Sequence, residues 1–576
     1  MYDELREVWG ELTAPGAPFE VEEVEVRGVR IKSYVTAPKS LREVWLGSAA
    51  HGEKDYLVYE DERWTYAEAH RQVARIANWL IANGVAPGDR VAIAMRNYPE
   101  WMLAYWASVS IGATAVGMNA WWTEPEMAFG INDATPKVLI CDEERLKRFL
   151  PQRAELPECL VVGVRLPEPL PTDVIDWTDI SSSDAVSDVL PDIVVEPDQD
   201  ACIFYTSGTT GHPKGAELTH RGCVANLLSL VFWNMTQSAA SQRAKSSTEA
   251  EGQPEEAAAT PSVQPASLIC TPLFHVTANN CLAQTMTLAG GKLIHMYKWE
   301  AGEALKLIER EQITNFSGVP VMARELIAHP DFEKTDTSTL TALGGGGAQL
   351  QPDLVAKIDK TVATARPGTG YGMTETCGVI TANSADFFVD KPASVGPALP
   401  TFETKCIDAD GETVPIGQVG ELCVRGAQVI RGYLNREAET AESIQDGWFR
   451  TGDIARIDED GFIFIVDRAK DMVLRGGENV YCAEVETALF DHDSVAECAV
   501  FGVPDDRLGE EVAAAIVLQP GSEEDVDALR AHCATRLAKY KIPRYIWISS
   551  EPLPRNASGK FLKRQLREDL KLADAL

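Results

Sequence analysis

The stretch Tyr205-Thr-Ser-Gly-Thr-Thr-Gly-His-Pro-Lys-Gly-Ala216 concentrates groups suited to holding phosphate. The hydroxyls of Thr206, Ser207, Thr209 and Thr210 alternate with Gly208 and Gly211, and Lys214 follows between Pro213 and Gly215. Glycines let a backbone turn sharply and aim its N–H groups inward. Hydroxyls add donors, and lysine adds a compact positive charge. The preceding Ala201-Cys-Ile-Phe-Tyr205 reads as a buried strand, which puts the loop at a strand's carboxyl end. The chemistry is that of a polyphosphate cradle. It is not the GxxxxGK[ST] loop, because Gly215 follows the lysine.

Five further motifs follow. They are Gly344-Gly-Gly-Gly-Ala-Gln-Leu350, Gly370-Tyr-Gly-Met-Thr-Glu-Thr376, Trp448-Phe-Arg-Thr-Gly-Asp453, Asp467-Arg-Ala-Lys-Asp471 with Gly476-Gly-Glu-Asn479, and Pro554-Arg-Asn-Ala-Ser-Gly-Lys560. In order and spacing the set resembles the adenylate-forming superfamily of acyl-CoA synthetases, firefly luciferases and peptide-synthetase adenylation domains, over the chain from about Trp64 to Lys563.

The resemblance implies a reaction and a set of roles. A carboxylate is activated by ATP, pyrophosphate leaves, and the acyl-AMP passes its acyl group to the thiol of CoA. Both first reactants are anionic, so the site needs Mg²⁺ and cationic side chains. Thr206–Thr210 and Lys214 would hold the β- and γ-phosphates. Thr374 would touch the α-phosphate, and Glu375 would ligate Mg²⁺, which takes one or two carboxylates plus phosphate oxygens. Gly346, Gly347, Ala348, Tyr371 and Gly372 would form the adenine slot. Asp453 would accept the ribose hydroxyls, with Arg468 in support; by residue type alone, Thr-Gly-Asp453 is ordinary turn chemistry. Lys560 would bridge the carboxylate and the α-phosphate as charge develops.

In the family the C-terminal domain then rotates about a hinge, here Lys470, and presents a second face to the thiol. Gly476, Gly477 and Glu478 would line the pantetheine path, and Lys539 and Lys541 would meet CoA phosphates. Phe274 and His275, in Thr271-Pro-Leu-Phe-His-Val-Thr277, fall at the mouth of the acyl pocket. This pocket lacks the aspartate that holds an amino group in amino-acid-activating relatives, so a plain acid is implied. The combination is most similar to fatty-acyl-CoA ligases, for a medium- or long-chain fatty acid or a related hydrophobic acid. Two alternatives share the first half-reaction: loading of a carrier-protein pantetheine, and a luciferase-like oxygenase. A dinucleotide fold is excluded by the spacing of Gly368-Thr-Gly-Tyr-Gly372.

These groups need a scaffold, and the hydrophobic pattern supplies one. Short apolar runs at Arg90–Met95, Lys137–Asp142, Leu268–Thr271, Lys292–Met296 and Thr314–Gly318 read as buried strands. Helices are expected from a capping box at Thr65-Tyr-Ala-Glu68, from Pro99 to about Ile111, near Ala278–Leu288 and at Gly302–Glu311. The predicted class is α/β: a large N-terminal domain of several subdomains with parallel sheets over 1–467, a hinge at 468–471, and a small mobile α+β lid over 472–576. Within the first domain, 237–266 contains one valine and no Leu, Ile, Met or aromatic residue, and reads as a mobile surface insertion.

Bulk properties narrow the partners. With 53 Lys and Arg against 86 Asp and Glu, the formal charge is −33, which disfavours nucleic acid and anionic membranes. Arg536–Lys571 is the exception, with ten basic residues against three acidic ones, suited to a small polyanion. The uncharged run Trp101–Thr123 is broken by Gly112 and Gly117 and reads as helix then strand, not a membrane span. Twelve cysteines without CxxC spacing, and no cationic leader, fit a reducing cytoplasm. The resemblance also allows a homodimer.

Overall fold

A computed structural model describes the chain except for residues 184–185, 207–211, 249–262, 347–349, 351, 363, 469–470, 477, 524 and 556–559, and the side chains of 247, 248 and 479. Two large sheets form the body of the molecule. The first runs, in spatial order, Lys214–Thr219, Asp200–Thr206, Thr114–Gly117, Arg90–Ala94, Val138–Asp142, Leu160–Val164 and Val174–Asp176. It is parallel except for the edge pair Lys214–Thr219 and Asp200–Thr206. The second runs Gly378–Ser384, Arg366–Met373, Ala342–Gly345, Asn315–Gly318, Ala266–Ile269, Lys292–His295, Asp55–Tyr59 and Glu62–Thr65, and is parallel at its centre with antiparallel pairs at both ends.

The helix Pro99–Ser110 explains the uncharged run: every one of its residues is buried, as a helix between two sheets must be. Among the described residues no helix is long and apolar enough to cross a membrane. The capping box at Thr65 forms, with Glu68 returning a bond to the Thr65 N–H at 2.9 Å.

A third, antiparallel sheet contains Phe402–Ile407, Gly420–Gly426, Trp448–Ile457 and Phe462–Arg468. A separate sheet of Glu478–Val480, Val473–Arg475, Gly509–Leu518, Val495–Asp505 and Tyr545–Ser549 carries the helices Cys482–Phe490, Val526–Ala534 and Lys563–Asp569, with its own apolar core around Val485, Leu489, Val500 and Ile516. Large mixed α/β sheets and a small α+β C-terminal unit are thus the architecture.

Three expectations change. Helix His220–Thr248 continues through the first two fifths of the expected insertion: Ala240 is buried and Arg243 pairs with Glu11 at 2.6 Å, so contacts with the N-terminal helix Tyr2–Thr13 hold a stretch whose own composition is weak. Residues 249–262 lie outside the described set. The helix expected near Ala278–Leu288 begins as a π-helix, Thr277–Ala283, before becoming α at Gln284–Leu288. Thr451-Gly-Asp453 is not a turn but lies within the strand Trp448–Ile457, where the register shifts against Glu421–Cys423 and Gly452 takes φ +69°. That bulge re-aims Asp453, and glycine supplies the left-handed backbone it needs.

Candidate active site

The predicted nucleotide residues converge from three sheets. Asp453, 2 % exposed, lies opposite Arg468 in strand register. Its Oδ1 accepts from Arg468 Nε at 2.8 Å, and its Oδ2 accepts from the Tyr371 hydroxyl at 2.5 Å. Each oxygen keeps a second lone pair for an incoming donor. Burial and Asp453 push the Tyr371 phenol well above its ordinary pKa. Burial works against the charge of Arg468, but Asp453, Tyr371, Asp471 and Glu375 more than offset it.

Gly372 permits this arrangement: a Cβ there would sit 1.9 Å from the Gly378 carbonyl on the paired strand. Gly346 behaves differently. Among the described residues a Cβ there would meet nothing closer than the Gly370 oxygen at 3.6 Å, so none of them demands glycine. Beyond it, Gly347 and Ala348 lie outside the described residues.

Thr374 and Glu375 occupy a short 3-10 turn, Thr374–Thr376, at the end of strand Arg366–Met373. The Glu375 carboxylate accepts from the Tyr433 hydroxyl at 2.9 Å, and its carbonyl accepts from Ile430 N at 3.0 Å. Tyr433 is a participant that the sequence did not reveal, because a lone tyrosine between Gly432 and Leu434 carries no spacing signal. It bridges to Ala216 on the strand after the phosphate loop, and the Lys214 ammonium lies 5.1 Å over its ring. Tyr433 therefore links Lys214 to Glu375. Thr206 ends its strand at the base of the loop. Ser207, Gly208, Thr209 and Thr210 lie outside the described residues.

One Glu375 oxygen is committed to Tyr433. A single carboxylate suffices for Mg²⁺ when phosphate oxygens complete the shell, so the residue fits the metal it is expected to hold.

The acyl side is built differently. Phe274, 2 % exposed, meets the indole of Trp121 edge-on at 5.2 Å, and Arg96 lies over that indole at 4.7 Å. Asn97 fixes the segment before Phe274: its amide donates to Thr271 O at 2.9 Å, and its oxygen accepts from Leu273 N at 3.1 Å. Asn97 and Trp121 were not foreseen either, since both reach the mouth from the other large sheet. His275 follows, and burial, with the nearby Lys560 ammonium second, lowers its pKa to about 4. A neutral imidazole, a phenyl ring and an ammonium from the C-terminal unit thus lie together where the acyl mouth is expected.

Of the residues assigned to the thiol, the four described ones do not join this centre. Gly476 sits at φ +61° with its N–H on Leu508 O, Glu478 is exposed, and Lys541 is ion-paired with Glu484 at 2.7 Å inside the C-terminal unit. Lys539 is exposed. Among the described residues no hydrogen bond or ion pair links these four to Asp453, Tyr371 or Arg468. Lys470 and Gly477 lie outside the described residues.

Comparison with known proteins defines the class. Residues 45–434 match the sequence model of the AMP-binding enzymes, and residues 484–560 that of the AMP-binding enzyme C-terminal domain. The chain belongs to this adenylate-forming family and is a ligase of its acid–thiol branch, an acyl-CoA synthetase. A feruloyl-CoA synthase of Amycolatopsis is 37 % identical, covering 87 % of this chain and 93 % of its own. The long-chain-fatty-acid–CoA ligase FadD13 of Mycobacterium tuberculosis is 33 % identical over 88 % and 93 %. Among solved structures, ATP-bound MatB from Rhodopseudomonas palustris superposes with a TM-score of 0.77 at 29 % identity, covering 91 % of this chain and 98 % of that one.

Proposed function

We propose that this enzyme joins a hydrophobic monocarboxylic acid to CoA through an acyl-AMP intermediate, releasing pyrophosphate and AMP. The observation that carries the reading is the mouth at Phe274 and His275. The Lys560 ammonium stands close enough to a neutral imidazole to depress it, beside the rings of Phe274 and Trp121. An acid's carboxylate entering there meets a cation, while its hydrocarbon part meets aromatic rings. The relatives named for a long-chain fatty acid and for ferulate bracket the choice: a fatty acid or an arylacrylic acid of comparable apolar size.

In this reading Lys214, with the hydroxyl loop before it, takes the terminal phosphates, and Tyr433 holds Glu375 where the metal would sit. Bound Mg²⁺ would offset charge on the triphosphate and the leaving pyrophosphate. Asp453, clamped by Tyr371 and Arg468, accepts the ribose hydroxyls. Lys560 balances negative charge as the carboxylate oxygen bonds to the α-phosphorus and the bond to pyrophosphate breaks. The sulfur of CoA then bonds to the acyl carbon, and AMP leaves. We take the units to be 1–467 and 472–576 joined at 468–471, with Lys470 as pivot and Gly476, Gly477, Glu478, Lys539 and Lys541 serving the second step.

The test is pyrophosphate release across a panel of fatty, arylacrylic, dicarboxylic and amino acids, with and without CoA, followed by isolation of the product. Fatty or arylacrylic acids should give release and a CoA thioester. Preference for a dicarboxylic or amino acid, or an acyl-AMP that never reaches free CoA, would overturn the proposal.

A further inference from the structure

The segment bearing Lys560 is anchored by charges that the chemistry itself does not use. Three residues on, Lys563 opens the helix Lys563–Asp569, and its ammonium pairs with Glu486 Oε1 at 2.8 Å. The same oxygen accepts from Val500 N at 2.8 Å, which fixes Glu486 against the small sheet. Glu486 lies on the nine-residue helix Cys482–Phe490, whose first N–H, that of Cys482, donates to Asp467 Oδ2. The other Asp467 oxygen accepts from Arg468 N at 2.7 Å. Cys482 adds a second tie, its thiol donating to Asp471 O at 3.0 Å.

Asp467 belongs to the other side of the molecule. It is 6 % exposed at the end of strand Phe462–Arg468, next to Arg468 and paired in register with Ile454, the neighbour of Asp453. Glu486 and Lys563 are built into the C-terminal unit. In sequence the connector 468–471 lies between Asp467 and Cys482, so a rotation of the C-terminal unit that carries Cys482 away from Asp467 breaks this hydrogen bond. Three ionisable groups gather at the seam. Burial pushes the Asp467 carboxyl up to about 6, and Lys563 is the leading charge holding it down. A buried ammonium without anions would be costly, and a carboxylate at a helix N-terminus is favoured by the helix dipole. Asp467 thus meets both a cation and a positive dipole end in this arrangement, and rotation would remove them.

We propose that Asp467, with Glu486 and Lys563, forms a positioning joint that holds the C-terminal unit in the orientation where Lys560 faces His275, and that the joint opens before the thiol step. This rests on the acyl-CoA ligase reading. None of the three touches the reacting atoms. Their effect is to set the population of the adenylating orientation, so their loss should fall on one half-reaction only.

The experiment measures the two halves separately on the full-length enzyme, using the best acid from the panel. Pyrophosphate–ATP exchange without CoA reports adenylation, and thioester formation from supplied acyl-AMP and CoA reports transfer. Asp467→Ala should lower the exchange kcat by about 10- to 100-fold, the scale of a slight misplacement of catalytic groups. KM for ATP and acid should hold within about twofold, with transfer equal or faster. Lys563→Met should behave alike, and Lys563→Arg should restore exchange. Asp467→Asn, which keeps the shape and loses the charge, is the readout if the alanine variant unfolds, and should show a smaller loss confined to exchange. Equal losses in both halves, or none in either, would overturn the joint while leaving the ligase reading intact. A wild type that exchanges pyrophosphate with no acid would overturn both.

Discussion

The side we assign to the nucleotide and the side we assign to the acyl group are held by different physics. On the nucleotide side each side chain has a specific charged or hydroxyl partner: Tyr371 on Asp453 at 2.5 Å, Arg468 on Asp453 at 2.8 Å, Tyr433 on Glu375 at 2.9 Å. Such pairs fix direction to within tenths of an ångström, and a substitution leaves a buried partner unsatisfied. On the acyl side Phe274, Trp121 and the ring of His275 meet by edge and face, contacts that tolerate a range of shapes. In the proposed reading one side would recognise a single ligand, and the other would admit a class. Lys560, from the C-terminal unit, comes close to the second and would act on the chemistry joining the two.

That contrast breaks first at Lys560. Lys560→Ala should slow acyl-AMP formation by about 10²- to 10⁴-fold, as loss of other transition-state charges does. Transfer from supplied acyl-AMP should fall far less, because the lysine is needed only while phosphate charge develops. A parallel loss in both steps, measured by pyrophosphate exchange against thioester formation, would place Lys560 in general structure instead.

Next in size is Asp453→Ala. It strips Tyr371 and Arg468 of their shared acceptor, and hydrogen bonds to a buried charge are worth about 1.5–3 kcal/mol. We expect kcat/KM for ATP to drop roughly 10- to 100-fold with KM for the acid little changed. A larger effect on the acid than on ATP would erase the distinction between the two sides.

The acyl side predicts the reverse pattern at smaller scale. Phe274→Ala should raise KM for the acid about 10-fold and leave KM for ATP alone, the low end of what one methylene is worth in an apolar pocket. It should also flatten discrimination across chain lengths in the acid panel. Unchanged selectivity would mean that the ring is only packing against Trp121.

The same contrast explains what the sequence disclosed. The phosphate-loop, Thr-Gly-Asp453 and Gly-Lys560 motifs are runs of consecutive residues and so stand out in the sequence, although Thr-Gly-Asp453 reads there as a turn and lies in a bulged strand. Tyr433, Asn97 and Trp121 meet their partners across sheets, and their residue types carry no spacing. The strands Arg90–Ala94 and Val138–Asp142 were readable as continuous apolar runs, since a strand buried on both faces has no polar alternation. Helix His220–Thr248 was misjudged past Gln237 because its support comes from Glu11 and the N-terminal helix, over two hundred residues away in the chain.

The smallest expected effect tests how the two sides communicate. His275 has a pKa of about 4, below the usual value near 6.5, with burial the larger cause and Lys560 the lesser. The sign follows from the neutral form being favoured when folded. As pH falls below 6.5, the unfolded chain binds this proton first, so His275 lowers stability progressively from there down to about 4, and above 6.5 it has no effect. Removing the ammonium with Lys560→Ala should raise the His275 pKa by less than half of its depression, because the buried ring remains. A titration of the His275 ring signals by NMR, wild type against variant, measures this directly. A rise back to the free-histidine value would make Lys560, and not burial, the reason the imidazole stays neutral. The acyl mouth would then depend on the C-terminal unit for its polarity as well as its charge. In that case Asp467→Ala, which loosens the same unit, should raise the His275 pKa too.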